Sequence, residues 1–130
     1  MIQAMISIDL TGYSAIITGA SQGLGSAIAT QLYRAGAGVV INYWADSAGL
    51  NRANAEQLAA SLGERAIAIA GDVRQADDMT TMVAATVTRF GRLDFVVNNA
   101  GILRDRSFKK MSGEEWDAVI DTNLTGVFNL

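Results

Sequence analysis

The sequence predicts an α/β fold: a doubly wound parallel sheet of four strands in the order 3-2-1-4, flanked by helices. Three observations predict it. Four short apolar or β-branched runs are separated by longer stretches of helical periodicity, each of those stretches is closed by a glycine, and the first run breaks into a glycine-rich turn that opens a helix. Runs that are apolar throughout, rather than alternating, suit strands covered on both faces, and parallel strands need helical crossovers between them. Right-handed crossovers and the adjacency of consecutive elements then leave few topologies.

The first strand is read at 15–18 (Ala-Ile-Ile-Thr), followed by Thr18-Gly19-Ala-Ser-Gln-Gly23-Leu-Gly25. Gly19 permits a tight turn off the strand, while Gly23 and Gly25 let a diphosphate and the neighbouring strand approach the helix closely. The helix N-terminus offers N–H groups and the positive end of its dipole to an anion. The spacing is Gly-x-x-x-Gly-x-Gly, not the Gly-x-Gly-x-x-Gly of the common dinucleotide fingerprint. Its place between a strand and a helix is what separates a nucleotide site from plain turn chemistry. A helix at 23–35 closes on Gly36, a strand follows at 39–43 (Val-Val-Ile-Asn-Tyr), and a helix at 51–62 closes on Gly63. Then come a strand at 66–70, a helix at 76–90 closed by Gly91, and a strand at 93–98. A last helix opens on Ser112-Gly-Glu-Glu115, a capping box, and runs through Trp116, Val119, Ile120, Leu124, Val127 and Phe128 without a C-cap.

With 130 residues, half of them hydrophobic and 18% charged, residues 1–130 make one domain with apolar surface enough for a core. No stretch approaches the roughly 20 apolar residues of a membrane span, and the segment from Met1 to Leu10 lacks the basic region and apolar run of a secretory signal. The expectation is a soluble cytoplasmic protein with no membrane partner. Lacking cysteine and histidine, the chain has no disulfide or thiolate chemistry and neither the commonest general base nor the commonest transition-metal ligand. Zinc hydrolases and Ser-His-Asp triads are excluded, and no metal is expected. A net charge of −3 argues against a nucleic-acid partner. One basic cluster, Arg104, Arg106, Lys109 and Lys110, is interrupted by Asp105 and reads as a solvated loop, with contact to a cofactor phosphate or an anionic substrate as the alternative.

Four ordered motifs carry a resemblance: Thr-Gly-x-x-x-Gly-x-Gly at 18–25, Asp72-Val73 after the third strand, Asn98-Asn-Ala-Gly101 after the fourth, and Asn123-Leu-x-Gly-Val-Phe128. Together they resemble the short-chain dehydrogenase/reductase family, from Asp9-Leu-Thr-Gly12 to Leu130, over what corresponds to the first half of a member of usual length. The resemblance implies a Rossmann-type domain, truncated at its C-terminus relative to the family. It implies that Ser21, Gln22, Gly23, Leu24 and Gly25 hold the phosphates of a nicotinamide dinucleotide, that Asp72 bonds the adenine amino group, and that Val73 lines the adenine pocket. Asn98, Asn99, Ala100 and Gly101 would lie beside the adenosine ribose and brace the central strands. Asn123 resembles the asparagine of the catalytic tetrad, which organises a water chain to the active-site lysine. From the residues alone, Asp72 also reads as an Asx turn into the next helix, Asn98 and Asn99 as buried amides tying strands together, and Asn123 as an exposed mid-helix residue.

A carboxylate at the end of the second strand would bond the ribose 2′-OH of NAD and repel the 2′-phosphate of NADP. Tyr43 stands at the family's discriminating position, which favours NADP(H), with NAD(H) as the alternative. Against it, Gln22 replaces the basic residue often found in the glycine loop of NADP-preferring members, and Asp46 lies near. Arg52 would reach a 2′-phosphate only if the loop at 44–49 folds back; otherwise it is part of a solvated helix start. In the family a Ser and a Tyr-x-x-x-Lys follow the Asn123-type helix. Here Tyr13, Tyr33 and Tyr43 each lack a lysine four residues on, and the two lysines are Lys109 and Lys110.

The reading is therefore the cofactor-binding half of an NAD(P)(H)-dependent short-chain oxidoreductase. The parent would transfer hydride between nicotinamide and a small carbonyl or alcohol, and this chain alone would be inactive. The Asp9-Leu-Thr-Gly opening and the Val-Ile-Asn-Tyr run look similar to 3-oxoacyl-carrier-protein reductases. The rival is a half-length module that binds a dinucleotide, or forms a homo-oligomer through the helix at 114–130, without catalysis; a third possibility is an unfolded truncation product. Left without further strands beside it, the run at 93–98 would be an unpaired apolar edge, making the isolated chain marginal or sticky.

Overall fold

The computed structural model describes residues 6–130; residues 1–5, half of the start read for a secretory signal, lie outside the described residues. β1 (Ser14–Ile17), α1 (Gly23–Arg34), β2 (Gly38–Tyr43), α2 (Leu50–Leu62), β3 (Ala66–Ala70), α3 (Ala76–Phe90) and β4 (Phe95–Val97) alternate along the chain. The strands form one parallel sheet in the order β3-β2-β1-β4, as the sequence predicts.

Side-chain alternation divides the core into two layers. Ala15, Ile17, Val39, Ile41 and Tyr43 pack against Ala29 of α1 and Ala55 of α2, while Ile16 and Val40 meet Met79 and Met82 of α3 on the other face. The three isoleucines and two valines of these strands are fully buried, each worth about 1.5–3 kcal/mol of burial before entropy is charged against it. Every residue of β1 and β2 is buried, but β3 and β4 are not covered throughout, contrary to the sequence expectation. Their place at the two edges of the sheet is the reason. Phe95 and Val96 of β4 are 38% and 37% exposed.

β4 is also shorter than the run at 93–98. Leu93 and Asp94 form a lead-in instead: the Asp94 carboxylate accepts from the Ser14 N–H at 2.9 Å and from Arg92, and the Asp94 N–H donates to the Ser14 carbonyl at 3.0 Å. At its other end Asn98 is exposed and Asn99 half-buried, not the two buried amides read from sequence, since both follow an edge strand. β1 begins one residue earlier than predicted, and Thr18 leaves the strand to serve the turn.

The capping box forms as read: the Ser112 hydroxyl accepts from the Glu115 N–H at 3.1 Å, and the Glu115 carboxylate accepts from the Ser112 N–H at 2.9 Å. The predicted continuous helix is nevertheless interrupted. α4 (Gly113–Ile120) passes into a π turn at Asp121–Thr125 before α5 (Gly126–Asn129). α5 docks on the β3–α3 loop, where the Asn129 amide donates to the Val73 carbonyl at 2.9 Å and a side chain on Gly126 would begin 2.8 Å from Val73 Cγ2. No helix among the described residues is long and apolar enough to cross a membrane.

Candidate functional site

A cleft of about 490 Å³ opens where β1, β2, β3 and β4 end, the position at which open α/β sheets hold ligands. Thr18 organises its floor. The buried hydroxyl accepts from the Asn99 and Ala100 N–H groups, both at 3.0 Å, so it fastens the loop after β4 to the end of β1. The Asn99 amide returns the tie, donating to the carbonyls of Thr18 at 2.9 Å and Gly19 at 3.1 Å. Asn42, at the end of β2, accepts from the Gly19 N–H at 3.2 Å and donates to the Gly71 carbonyl at 3.1 Å. All four strand ends are thus held by side-chain amides and one hydroxyl, which satisfies backbone groups that no ladder reaches.

The glycine turn fits this floor tightly. Gly19 has φ +60°, and a side chain there would begin 2.9 Å from Ala100 Cα; one on Gly25 would begin 2.5 Å from Asn99 Nδ2 and 2.7 Å from the Gly19 carbonyl oxygen. Gly25 therefore serves packing between helix and turn, whereas the corresponding point on Gly23 meets nothing within 4 Å beyond its chain neighbours and its own helix backbone. No side chain caps the N-terminus of α1, where Gln22 is the N-cap residue.

Of the residues singled out from sequence, Gly19, Ser21 and Gln22 line the cleft from the turn, Asp72 and Val73 from the β3–α3 loop, and Asn99, Ala100 and Gly101 from the loop after β4. Gly23, Leu24, Gly25, Tyr43 and Asn123 do not line it; Leu24 projects outward at 77% exposure. Tyr43 is 7% exposed and belongs to the core layer beneath α1 and α2, while its neighbours Asn42 and Trp44 line the cleft. The pleat accounts for this: consecutive residues of β2 face opposite sides.

Asp72 does form the Asx turn, accepting from the Arg74 N–H at 3.0 Å, and its two oxygens also bind the Arg74 guanidinium at 2.5–3.0 Å. The hydrogen bonds from Arg74 hold the carboxyl below the ordinary aspartate range against the opposing effect of burial. Asn123 is exposed, as a mid-helix asparagine would be, yet occupied: its Oδ1 accepts from the Ile102 N–H at 2.9 Å and its Nδ2 donates to the Ile102 carbonyl at 3.0 Å. It sits in the π turn, a helix irregularity common at functional sites.

In the basic cluster, Arg104 lines the cleft while donating to the Leu103 carbonyl, and Arg106 pairs with Glu115 at 2.8 Å. Arg52 lies off the cleft and pairs with Glu56 at 2.7 Å. Asp46 is turned toward α2, accepting from the Leu50 and Asn51 N–H groups at 3.2 and 2.9 Å. Sequence reasoning assigned no role to the Thr18 hydroxyl, Asn42 or Asn51. The signal for the first two was a polar residue ending an otherwise apolar strand. No cluster of three or more metal-ligating side chains occurs among the described residues.

The family model described as short chain dehydrogenase matches residues 13–130. The chain is 47% identical over 116 residues to the 3-oxoacyl-[acyl-carrier-protein] reductase FabG of Staphylococcus aureus, covering 89% of this chain and 46% of that protein. It is 44% identical over 119 residues to the 3-oxoacyl-[acyl-carrier-protein] reductase of Synechocystis, covering 92% of this chain and 47% of the relative. To the hydroxyacyl-CoA dehydrogenase ChsB1 of Mycobacterium tuberculosis it is 47% identical over 124 residues, covering 94% and 39%. Among solved structures, a short-chain dehydrogenase/reductase of Brucella melitensis, described as a glucose/ribitol dehydrogenase, superposes with a TM-score of 0.87 at 36% identity, over 96% of this chain and 49% of that one. The chain spans about half the length, or less, of the curated relatives it matches. Sheet order, the glycine turn packed against Asn99 and the family match agree, and the chain belongs to the short-chain dehydrogenase/reductase family.

Proposed function

We propose that these residues form the cofactor-binding half of an NAD(P)(H)-dependent short-chain oxidoreductase that interconverts carbonyl and alcohol by hydride transfer. The observation that carries this reading is the uncapped N-terminus of α1 beside a cleft whose walls are the ends of all four strands. A dinucleotide fits what is there: N–H groups and helix dipole for a diphosphate, open space at Gly23, and Asp72 with Val73 for an adenine. When bound, the nicotinamide donates or accepts the hydride. The chain's own share is to hold the phosphates at Ser21, Gln22, Gly23, Leu24 and Gly25 and to seat the adenosine against Asp72, Val73, Asn99, Ala100 and Gly101. Asn123 positions the loop after β4 through its two bonds to Ile102.

Tyr13, Tyr33 and Tyr43 do not line the cleft, and this reading assigns these residues cofactor binding rather than proton transfer to or from a substrate oxygen. Tyr43 in place of an acid favours NADP(H) over NAD(H). The named activity of the FabG relatives makes a 3-oxoacyl thioester the favoured substrate class for a longer parent. A cytoplasmic location is part of the reading and is checked by cell fractionation. The exposed Trp116, Leu124, Val127 and Phe128 favour a second reading, a non-catalytic dinucleotide-binding module that self-associates through its last helices. Titration with NADPH and NADH, following nicotinamide fluorescence and melting temperature together, tests the cofactor reading: saturable binding with thermal stabilisation is expected, and a folded chain that binds neither nucleotide overturns it.

A further inference from the structure

One rim of the cleft joins the glycine turn to two residues outside the sequence motifs. Trp44, just after β2, Asn51, in the first turn of α2, and Ser21 of the glycine turn all line it. Asn51 joins them: its Nδ2 donates to the Trp44 carbonyl at 3.1 Å, and its Oδ1 is 3.5 Å from the Ser21 hydroxyl. Behind Asn51 stands Asp46. Its carboxylate takes the Leu50 and Asn51 N–H groups, occupying the N-terminus of α2, where Gly49 supplies no side-chain cap. Those bonds remove two donors that would otherwise serve an anion and leave a fixed negative charge directly behind the rim.

No nearby cation on α2 faces the rim to offset it. Arg52, one residue on, is bound to Glu56 and lies off the cleft, and the lining guanidiniums of Arg74 and Arg104 belong to the loops after β3 and β4. Tyr43, buried in the core layer beneath α1 and α2, is not among the residues that line the cleft.

We infer that selectivity at the ribose 2′ position is set by Asn51 and Asp46 at the start of α2, rather than by the residue ending β2. Asn51 supplies a neutral hydrogen-bonding group suited to a hydroxyl, and Asp46 opposes a 2′-phosphate, restraining the NADP(H) preference that Tyr43 alone would allow. The inference rests on the cofactor reading above. Two near-isosteric changes at these positions should displace the nucleotide preference in opposite directions.

The experiment is the ratio of NADH to NADPH dissociation constants for the parent chain, Asp46→Asn and Asn51→Asp. Asparagine at 46 keeps an acceptor for the helix N–H groups while removing the charge, so the ratio should shift toward NADPH by about fivefold at low salt, with the shift shrinking as salt is raised. Asn51→Asp should shift it toward NADH by about tenfold. A melting temperature for each variant establishes that it is folded, and Asp46→Ser, which retains a capping oxygen, replaces the first variant if it is not. A parent that binds both nucleotides while the folded variants keep its ratio within about twofold overturns this inference alone. A folded parent that binds neither overturns the cofactor reading and this inference with it.

Discussion

Replacing Thr18 by valine removes one hydroxyl and leaves the shape of the side chain almost unchanged. That hydroxyl is the acceptor for two backbone donors, the N–H groups of Asn99 and Ala100, and Thr18 itself is 1% exposed. Its third contact, to the Val97 carbonyl, is long at 3.4 Å and adds little. The Asn99 N–H keeps a second acceptor, the Val97 carbonyl at 2.9 Å, so valine strands the Ala100 N–H beside a methyl. With one partly buried donor left unpaired the loss should be about 2–3 kcal/mol, a large fraction of the ~5–15 kcal/mol that holds a typical domain together. The melting temperature should fall by about 5–10 °C. Thr18→Ser keeps the hydroxyl and gives up a methyl, so it should cost only about 1 kcal/mol. Urea unfolding of the three chains gives the comparison, read as midpoints at constant slope. A Thr18→Val midpoint indistinguishable from the parent's, or a serine variant that loses as much as valine, would refute the assignment of Thr18 as the joint between β1 and the loop after β4.

Two further outcomes follow from the same geometry. Gly25→Ala places a Cβ against Asn99 Nδ2 and the Gly19 carbonyl oxygen, groups that are themselves tied down, so it should destabilise the chain by about 1–3 kcal/mol and weaken nucleotide binding; an alanine variant with parental stability and affinity would show that the turn can yield. Asp72, Asp46, Asp94 and Glu115 all have their carboxyls lowered by hydrogen bonds, from Arg74, the Asn51 N–H, Arg92 and the Ser112 N–H respectively. Because the folded values lie below the unfolded ones, the stability they contribute is complete above about pH 4–5 and is lost as pH falls through the folded values. Asp72→Asn should therefore shed part of the acid sensitivity measured by urea midpoints between about pH 5 and pH 3, and an acid slope equal to the parent's would count against the Asp72–Arg74 pair.

The glycine turn was legible because its chemistry is local. Gly19 needs a positive φ wherever the sheet lies, and the capping box of Ser112 and Glu115 closes within four residues. The four strands were legible from their apolar runs, and their order from the alternation with helices. Strand ends were less so, since they depend on partners distant in sequence: Thr18 leaves β1 to meet Asn99 and Ala100, 81 and 82 positions away, and Asp94 holds the Ser14 N–H across 80.

The sequence by itself determined the α/β class, the glycine turn and the family, because each rests on periodicity or on motifs whose spacing is a backbone property. Only the tertiary structure decided which side chains reach the cleft. The pleat of β2 sends Tyr43 into the core and leaves Asn42 and Trp44 facing the cleft. The loop after β2 brings Asn51 to Ser21 across 30 residues, and the π turn sets Asn123 against Ile102. Contacts of that kind are fixed by how layers stack, a three-dimensional property that no one-dimensional pattern records.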